Sequence, residues 1–184
     1  MSMILRRDLI GSFFAGSIIG VQGLSALASN NSKGDAKPID SNDKRVKAFL
    51  EYVRETEVNP SAAVSKYLSS DVIYYSTAGQ AFNINELTER LQEWSKGFVP
   101  ISQKFNWAAE LPDGLILISA TEKMSQVNNF RGADIVPNPI KLDQLWIVSY
   151  GRNGKIDSYQ FINDYKNLSL ALKPKDHSNL MKIK

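Results

Sequence analysis

Apolar residues recur with helical spacing in the first half of the chain. One such face, at positions i, i+3, i+4 and i+7, predicts an amphipathic helix over residues 43–56; its members are Val46, Phe49, Leu50 and Val53. Asn59 followed by Pro60 is typical of a helix start. N–H groups in the first turn of a helix have no acceptor within the helix, so the N–H that proline lacks is not missed there. Asn83 with Glu86 predicts a capping box and a third helix.

The pattern changes to strand spacing in the second half. Residues 101–109 alternate in polarity, and residues 115–126 form a further apolar strand. Residues 141–164 predict a hairpin, because Asn153-Gly154 tolerates the positive φ of a tight turn. A β-branched and aromatic strand at residues 71–75 separates the second and third helices. This order predicts an α+β domain, with an antiparallel sheet covered by helices on one face.

The N-terminal segment is typical of an export signal. Residues 1–28 contain Arg6-Arg7, an apolar run rich in glycine, serine and alanine, and then Ala26-Leu27-Ala28. The arginine pair resembles the twin-arginine export motif; an ordinary Sec signal or an uncleaved anchor are the alternatives. We expect a signal peptide over residues 1–28 and a flexible leader over residues 29–42. The mature protein would be periplasmic or secreted in a bacterium, and would meet a membrane only through an uncleaved leader.

Charge and composition exclude several functional classes. The net charge of +3 over 184 residues is too small to indicate nucleic-acid binding, and no basic–aromatic motif accompanies it. The chain has no cysteine, which removes thiol catalysis and thiolate metal sites. Its single histidine, His177, lies in a basic tail over residues 167–184, so a histidine triad or a multi-histidine metal centre is not expected. We therefore expect no cofactor and no metal.

The C-terminal hairpin carries a family resemblance. Its first strand reads Asp143-Gln144-Leu145-Trp146-Ile147, and Gly154-Lys155-Ile156 follows the turn. This arrangement resembles the nuclear transport factor 2-like superfamily, in particular its SnoaL-like and ketosteroid-isomerase-like branches. The matching domain would span residues 43–166. The resemblance implies a strongly curved sheet wrapped around the N-terminal helices, as a cone that encloses an apolar pocket.

The same resemblance implies candidate site residues. In isomerase-like relatives the acid of this strand points into the pocket and is kept protonated, so that it donates a hydrogen bond to an oxyanion. The matching residue is Asp143. The family pattern also implies that Tyr74 and Ser76 point inward. Strand alternation and aromatic character add further predicted ligand-binding positions, which are Trp107, Leu145, Tyr159, Phe161 and Asn163. Ser76 stands where the isomerases have a carboxylate base, so their mechanism is not expected here.

Two acids have alternative interpretations. Asp143 is either a pocket acid with a raised pKa or a partly exposed acid bonded to a neighbour. Glu122 and Lys123 interrupt an apolar strand, and only one of them can point inward. An inward Glu122 would pair with Asp143 for acid–base chemistry; the alternative is a strand that emerges into solvent.

These patterns lead to three functional hypotheses. The first is an exported small-molecule pocket protein of the SnoaL-like type, which binds an apolar or aromatic ligand or transforms it without metal. The second is a metal-independent isomerase, cyclase or dehydratase that uses Asp143. The third is a non-catalytic dimeric module of the cell envelope. A homodimer is expected because the last strands are apolar on both faces and helices bury only one; the alternative cover is segment 168–172.

Overall fold

The structure is a computed structural model that describes residues 36–163 and 165–172. The predicted signal peptide, the first part of the predicted leader and the tail beyond residue 172 lie outside the described residues. No helix in the described part of the chain is long and apolar enough to cross a membrane.

Seven strands and four helices make up the described chain. In order they are β1 (Lys37–Ile39), α1 (Lys44–Val58), α2 (Pro60–Tyr67), β2 (Leu68–Tyr75), β3 (Ala81–Phe82), α3 (Ile84–Gly97), β4 (Phe98–Glu110), β5 (Ile116–Gln126), β6 (Ile140–Tyr150), β7 (Ile156–Asn163) and α4 (Tyr165–Leu172).

All seven strands form one curved, unclosed sheet in the order β1-β4-β5-β6-β7-β2-β3. Neighbouring strands are antiparallel except β2 and β7, which run parallel, with Tyr74 opposite Tyr159. The predicted α+β class and curved sheet are confirmed. Strand β2 therefore lies between the last strand, β7, to which it is parallel, and the short strand β3, to which it is antiparallel.

Two short elements lie where the sequence predicted none. Strand β1 falls inside the predicted flexible leader and pairs with the end of β4, with Lys37 opposite Glu110. Helix α4 begins at the end of the predicted domain and occupies the start of the predicted tail. A strand of three residues and a helix of eight are too short to give a clear periodic pattern in the sequence. Their contacts with neighbouring elements stabilise them instead.

The three predicted helix starts have capping side chains. Asp43 accepts a hydrogen bond from the Arg45 N–H at 2.8 Å, and Asn59 accepts one from the Ala62 N–H at 3.2 Å. Asn83 accepts from the Glu86 N–H, while the Glu86 carboxylate accepts from the Asn83 N–H. These caps fix where α1, α2 and α3 begin, and thereby which helix faces meet the sheet.

The buried side chains form two clusters on the concave face of the sheet. In the first, Phe49 of α1 packs edge-on against Trp146 of β6, with ring centroids 5.5 Å apart. The second lies near the far ends of β5 and β6, and consists of Phe98, Met124, Phe130, Ala133, Ile140, Leu142, Leu168 and Leu172. The candidate site lies between the two clusters.

Candidate functional site

A cavity of about 140 Å³ opens on the concave face of the sheet. Members of both core clusters contribute to its wall, including Tyr52 and Trp146 from the first and Phe130 and Leu168 from the second. An apolar protein cavity of roughly 150 Å³ is large enough to hold benzene. The inner part of this cavity therefore has room for one aromatic ring.

Aromatic side chains form most of the apolar wall. They are Tyr52, Tyr74, Trp94, Phe130, Trp146, Tyr159 and Phe161. The Trp146 and Phe161 rings stack at 5.8 Å with an interplanar angle of 19°. The Tyr52 and Tyr159 hydroxyls are hydrogen-bonded to each other at 2.8 Å. Because these rings also pack against the core, the wall is held in place without a ligand.

A pair of carboxyl groups interrupts the aromatic wall. Glu57 lies in the last turn of α1 and Glu122 lies on β5, and their side chains are within hydrogen-bonding reach of each other. Both line the cavity, and Glu122 is only 3% exposed. Gln144 on the neighbouring strand donates to Glu122 Oε2 at 2.5 Å, and the Gln103 amide lies 3.5 Å from Oε1.

Burial makes it costly for this pair to be ionised. Desolvation, followed by the charge of Glu122, raises the pKa of Glu57 to about 9, and Arg54 opposes this only weakly. Desolvation also raises the pKa of Glu122, against the hydrogen bonds that it accepts from its neighbours. Two carboxylates at this distance cannot both ionise easily, so the pair retains a proton at neutral pH.

Two amide oxygens beside the pair have no hydrogen-bond partner among the residues that the structure describes. They are Gln144 Oε1 and Asn163 Oδ1, on side chains that are 4% and 8% exposed. Gln144 and Asn163 are opposite one another on β6 and β7, and both line the cavity. Buried oxygens without a partner are uncommon in proteins, which marks this part of the wall as a place for a bound group.

The two arginines of the wall already have protein partners. Arg131 forms an ion pair with Glu93, with 2.6 Å between Nη2 and Oε2. The Arg90 guanidinium lies over the Phe82 ring, 3.9 Å from its centroid. Arg131 also has a positive φ of 48°, which is uncommon for a residue with a side chain. These contacts hold both cations at the rim of the aromatic wall.

Five of the nine predicted site residues line the cavity. They are Tyr74, Glu122, Tyr159, Phe161 and Asn163. All five lie on inward positions of β2, β5 and β7, and the aromatic members belong to the first core cluster or pack against it. Their placement follows from strand alternation once the concave face is known.

Asp143 is not a pocket residue, and its predicted orientation is wrong. It lies on the convex face, exposed to solvent, where its Oδ1 accepts a hydrogen bond from the Thr121 hydroxyl at 2.6 Å. Leu145 is also on that face, half-buried, opposite Ser119. The buried partners of the helices are instead Leu142, Gln144, Trp146 and Val148. A carboxylate pair of Glu122 with Asp143 is therefore ruled out, because the two point to opposite faces.

Trp107 and Ser76 do not line the cavity either. A register shift between Phe105 and Trp107 places an extra residue in β4, so Trp107 pairs with Ser119 on the convex face. Ser76 lies just after β2 and is buried, but its Oγ accepts a hydrogen bond from the Gln80 N–H at 3.3 Å. That bond holds the hydroxyl within the loop.

The sequence analysis overlooked Glu57 and Gln144. Glu57 continues the apolar stripe of α1, because it follows Val53 by four residues and Leu50 by seven. Gln144 alternates with Leu142 and Trp146 on the inward face of β6. A polar residue within a buried stripe is the signal that identifies both positions.

The site has no evident metal-binding set. Among the described residues, no three histidine, cysteine, aspartate or glutamate side chains are close enough to hold a metal ion. The carboxyl pair thus has only amide and carboxyl partners.

No protein-family profile matches the chain, and no curated protein matches its sequence. Solved structures do match. A protein assigned as a SnoaL-like polyketide cyclase from Shewanella denitrificans aligns with 72% of this chain and 98% of its own, at 15% identity and a TM-score of 0.59. The chain has the nuclear transport factor 2-like fold.

Other solved structures with this fold are assigned as a polyketide cyclase and as a hydroxylase. One assigned as a polyketide cyclase from Pseudomonas putida KT2440 aligns with 70% of this chain and 97% of its own, at 12% identity and a TM-score of 0.58. AclR of Streptomyces galilaeus, assigned as a hydroxylase, aligns with 72% and 83%, at 14% identity and a TM-score of 0.55. At these identities the similarity establishes the nuclear transport factor 2-like fold of the chain. The chemistry must be argued from the residues of the site.

Proposed function

We propose that the protein binds a small, largely aromatic molecule in the cavity on the concave face. The single observation that carries this proposal is the Glu57–Glu122 carboxyl pair, set in an aromatic wall that opens to solvent. Burying two carboxyl groups destabilises the fold. A cavity that served only as part of the packed core would therefore be more stable with apolar residues at these two positions. Aromatic walls with a few convergent polar groups are the usual composition of ligand sites.

A second candidate function is metal-independent acid–base catalysis. Here the supporting observation is that two carboxyls lie within hydrogen-bonding reach of each other in a cavity where burial raises the pKa of both, as suits a general acid or base. In this hypothesis Glu57 and Glu122, rather than Asp143, are the acid–base groups. The cyclase and hydroxylase assignments of proteins with the same fold are consistent with such chemistry, but fold similarity alone carries no mechanism.

We further propose that the protein is exported from a bacterial cell. The supporting evidence is the order of charged, apolar and small residues over 1–28, with Arg6-Arg7 at its start. Detection of the mature protein in the periplasmic fraction, with a new N-terminus near residue 29, is the expected result.

Ligand binding is expected to change the fluorescence of the pocket tryptophans. Trp94 and Trp146 line the cavity, whereas Trp107 lies on the convex face. The variant Trp107→Phe therefore reports mainly on the pocket. Titration of this variant with phenethyl alcohol, a neutral molecule with one aromatic ring, should give a saturable change in emission.

The matched control is Trp146→Phe in the same background, which should lose the Trp146 part of that signal and keep the Trp94 part. Native mass spectrometry of protein purified from its own host should also detect a bound small molecule. A protein that carries no ligand and gives no saturable response to neutral aromatic compounds would contradict the binding proposal.

We also propose that two copies associate through the convex face of the sheet. Half-buried apolar side chains lie together there, and they are Trp107, Leu117, Leu145, Ile147 and Ile162. Leu168 and Leu172 of helix α4 pack in the second core cluster on the concave side. Helix α4 therefore does not cover the apolar side chains of the convex face. A second copy offers an identical apolar face, which suits a two-fold dimer.

The substitution Ile147→Glu should convert this dimer to a monomer, because it places a charge at the centre of the apolar face. Sedimentation velocity measures the change directly. Val58→Glu is the control, since Val58 is 82% exposed at the end of α1 and should leave the dimer intact. A monomeric wild-type protein, or a dimer that survives Ile147→Glu, would contradict the proposed interface.

A further inference from the structure

Buried acceptor oxygens without a partner among the described residues lie together on the cavity wall. Gln144 Oε1 and Asn163 Oδ1 are buried without partners, and they lie next to each other on the inward face of β6 and β7. The carboxyl oxygens of Glu57 and Glu122 share the same wall. Four oxygen-bearing groups therefore converge on one part of the cavity.

Three donor groups of the wall are already bonded within the protein. Gln144 donates its amide to Glu122, and the Thr56 hydroxyl donates to the Val53 carbonyl at 2.6 Å. The Arg131 guanidinium binds Glu93. A ligand that satisfies the unpartnered oxygens must supply hydrogen-bond donors.

We propose that the natural ligand is an organic amine, whose ammonium group binds the carboxyl pair and the free oxygens of Gln144 and Asn163 while its ring packs on the aromatic wall. This inference rests on the proposed binding function and names its ligand class. An ammonium group has three donors and no acceptor, so it matches a cluster of oxygens better than a hydroxyl does.

Charge and shape support the same ligand class. A carboxyl pair that loses its proton to solvent on binding becomes the counter-ion of the ammonium group. The faces of Trp146 and Phe161 are attractive surfaces for a nearby cation, and their stacking leaves one broad apolar surface. The cavity volume of about 140 Å³ accommodates a single ring with a short side chain.

Phenethylamine and phenethyl alcohol provide a matched pair of probes, because they differ in the ammonium and hydroxyl groups alone. Isothermal titration calorimetry of the full chain at neutral pH should show phenethylamine binding at least about tenfold more tightly, which is the ratio expected from one charge-assisted hydrogen bond. This comparison uses the wild-type protein and needs no variant.

Variants then locate the preference within the cavity. Glu122→Gln and Asn163→Leu should each reduce the ratio of amine affinity to alcohol affinity by about tenfold. Asp143→Asn is the control on the adjacent strand, because Asp143 faces solvent on the other side of the sheet. Circular dichroism confirms that each variant is folded.

The outcomes separate this inference from the proposed binding function. Tighter binding of the amine that is lost in both variants supports the inference. Equal or tighter binding of the alcohol overturns the ammonium ligand and leaves an aromatic pocket. An amine preference that survives both variants overturns the assignment to this site. Binding of neither probe, together with no co-purified molecule, overturns the binding function as well.

Discussion

Raising the pH from about 5 to about 8 is expected to lower the free energy of unfolding by about 2 kcal/mol. In the folded protein burial raises the pKa of Glu57 to about 9 and that of Glu122 in the same direction, whereas the ordinary value is 4.5. The folded state therefore holds a proton that the unfolded state releases. Stability from this proton is fully present below pH 4.5 and is lost as the pH rises toward 9.

The size of the effect follows from proton linkage. A proton that is bound in the folded state and released in the unfolded state changes the free energy of unfolding by about 1.4 kcal/mol per pH unit. Over the interval of about three pH units, the upper value is therefore near 4 kcal/mol. Glu57 is half-buried at the cavity mouth, so solvent screening reduces this value, and about half of it is expected. Urea unfolding at a series of pH values, followed by tryptophan fluorescence, measures the slope.

Glu57→Gln should flatten this pH dependence, because the glutamine cannot ionise. Glu55→Gln is the matched control on the same helix. Glu55 is paired with Lys66 at 2.6 Å, which lowers its pKa, so its contribution is lost only as the pH falls below the ordinary value. An unchanged slope in Glu57→Gln, or a wild-type protein equally stable across this range, would show that the pair is ionised in the folded state.

Phe49→Ala is expected to destabilise the protein by about 3–5 kcal/mol, the range for removing a buried aromatic side chain. Phe49 is fully buried and joins α1 to the sheet, with ring centroids 5.5 Å from Trp146 and 5.8 Å from Tyr159. Those two residues form part of the cavity wall. The substitution thus leaves a void behind the wall of the site.

Denaturant unfolding at a pH near 5, where the carboxyl pair is protonated, measures this loss separately from the linkage effect. Val58→Ala is the control from the same helix; Val58 is 82% exposed, and its truncation should change stability by no more than about 0.5 kcal/mol. A loss of less than about 1 kcal/mol in Phe49→Ala would mean that α1 does not pack on the sheet as described.

Local patterns were sufficient to predict the main elements of the fold. The apolar stripe of α1, the caps at Asn59 and Asn83, and the turn at Asn153-Gly154 each depend on residues within one or two turns of each other. Nearest-neighbour chemistry decides such features, which is why they can be read from a single sequence. The strand β1 and the parallel pairing of β2 with β7 depend instead on distant partners.

The site was harder to predict because its geometry is nonlocal. Glu57 and Glu122 belong to different elements and meet only when α1 lies in the concave face of the sheet. In β6 the apolar residues Leu145 and Ile147 on one face, and Leu142 and Trp146 on the other, gave no clear inward side. The prediction assigned Asp143, Leu145 and Ile147 to the inward face of β6. Gln144, which lies on the true inward face, was therefore not predicted as a site residue.

Trp107 illustrates a different limit. Strict alternation from Phe105 places it inward, but the irregular register at this point reverses its direction. A bulge is set by pairing with the next strand, and nothing in the residues of β4 alone required it. Polar residues inside a buried stripe, such as Glu57, were the more reliable indication of the site.

The most direct test of the account is a titration of the Glu57 and Glu122 carboxyl carbons by carbon-13 nuclear magnetic resonance, with Glu57→Gln and Glu122→Gln used to assign the two signals. We expect both signals to stay in the protonated form well above pH 4.5, and that of Glu57 to change near pH 9. If both carboxyls instead titrate near pH 4.5, as exposed glutamates do, the concave face holds no proton-sharing pair and the proposed site is wrong.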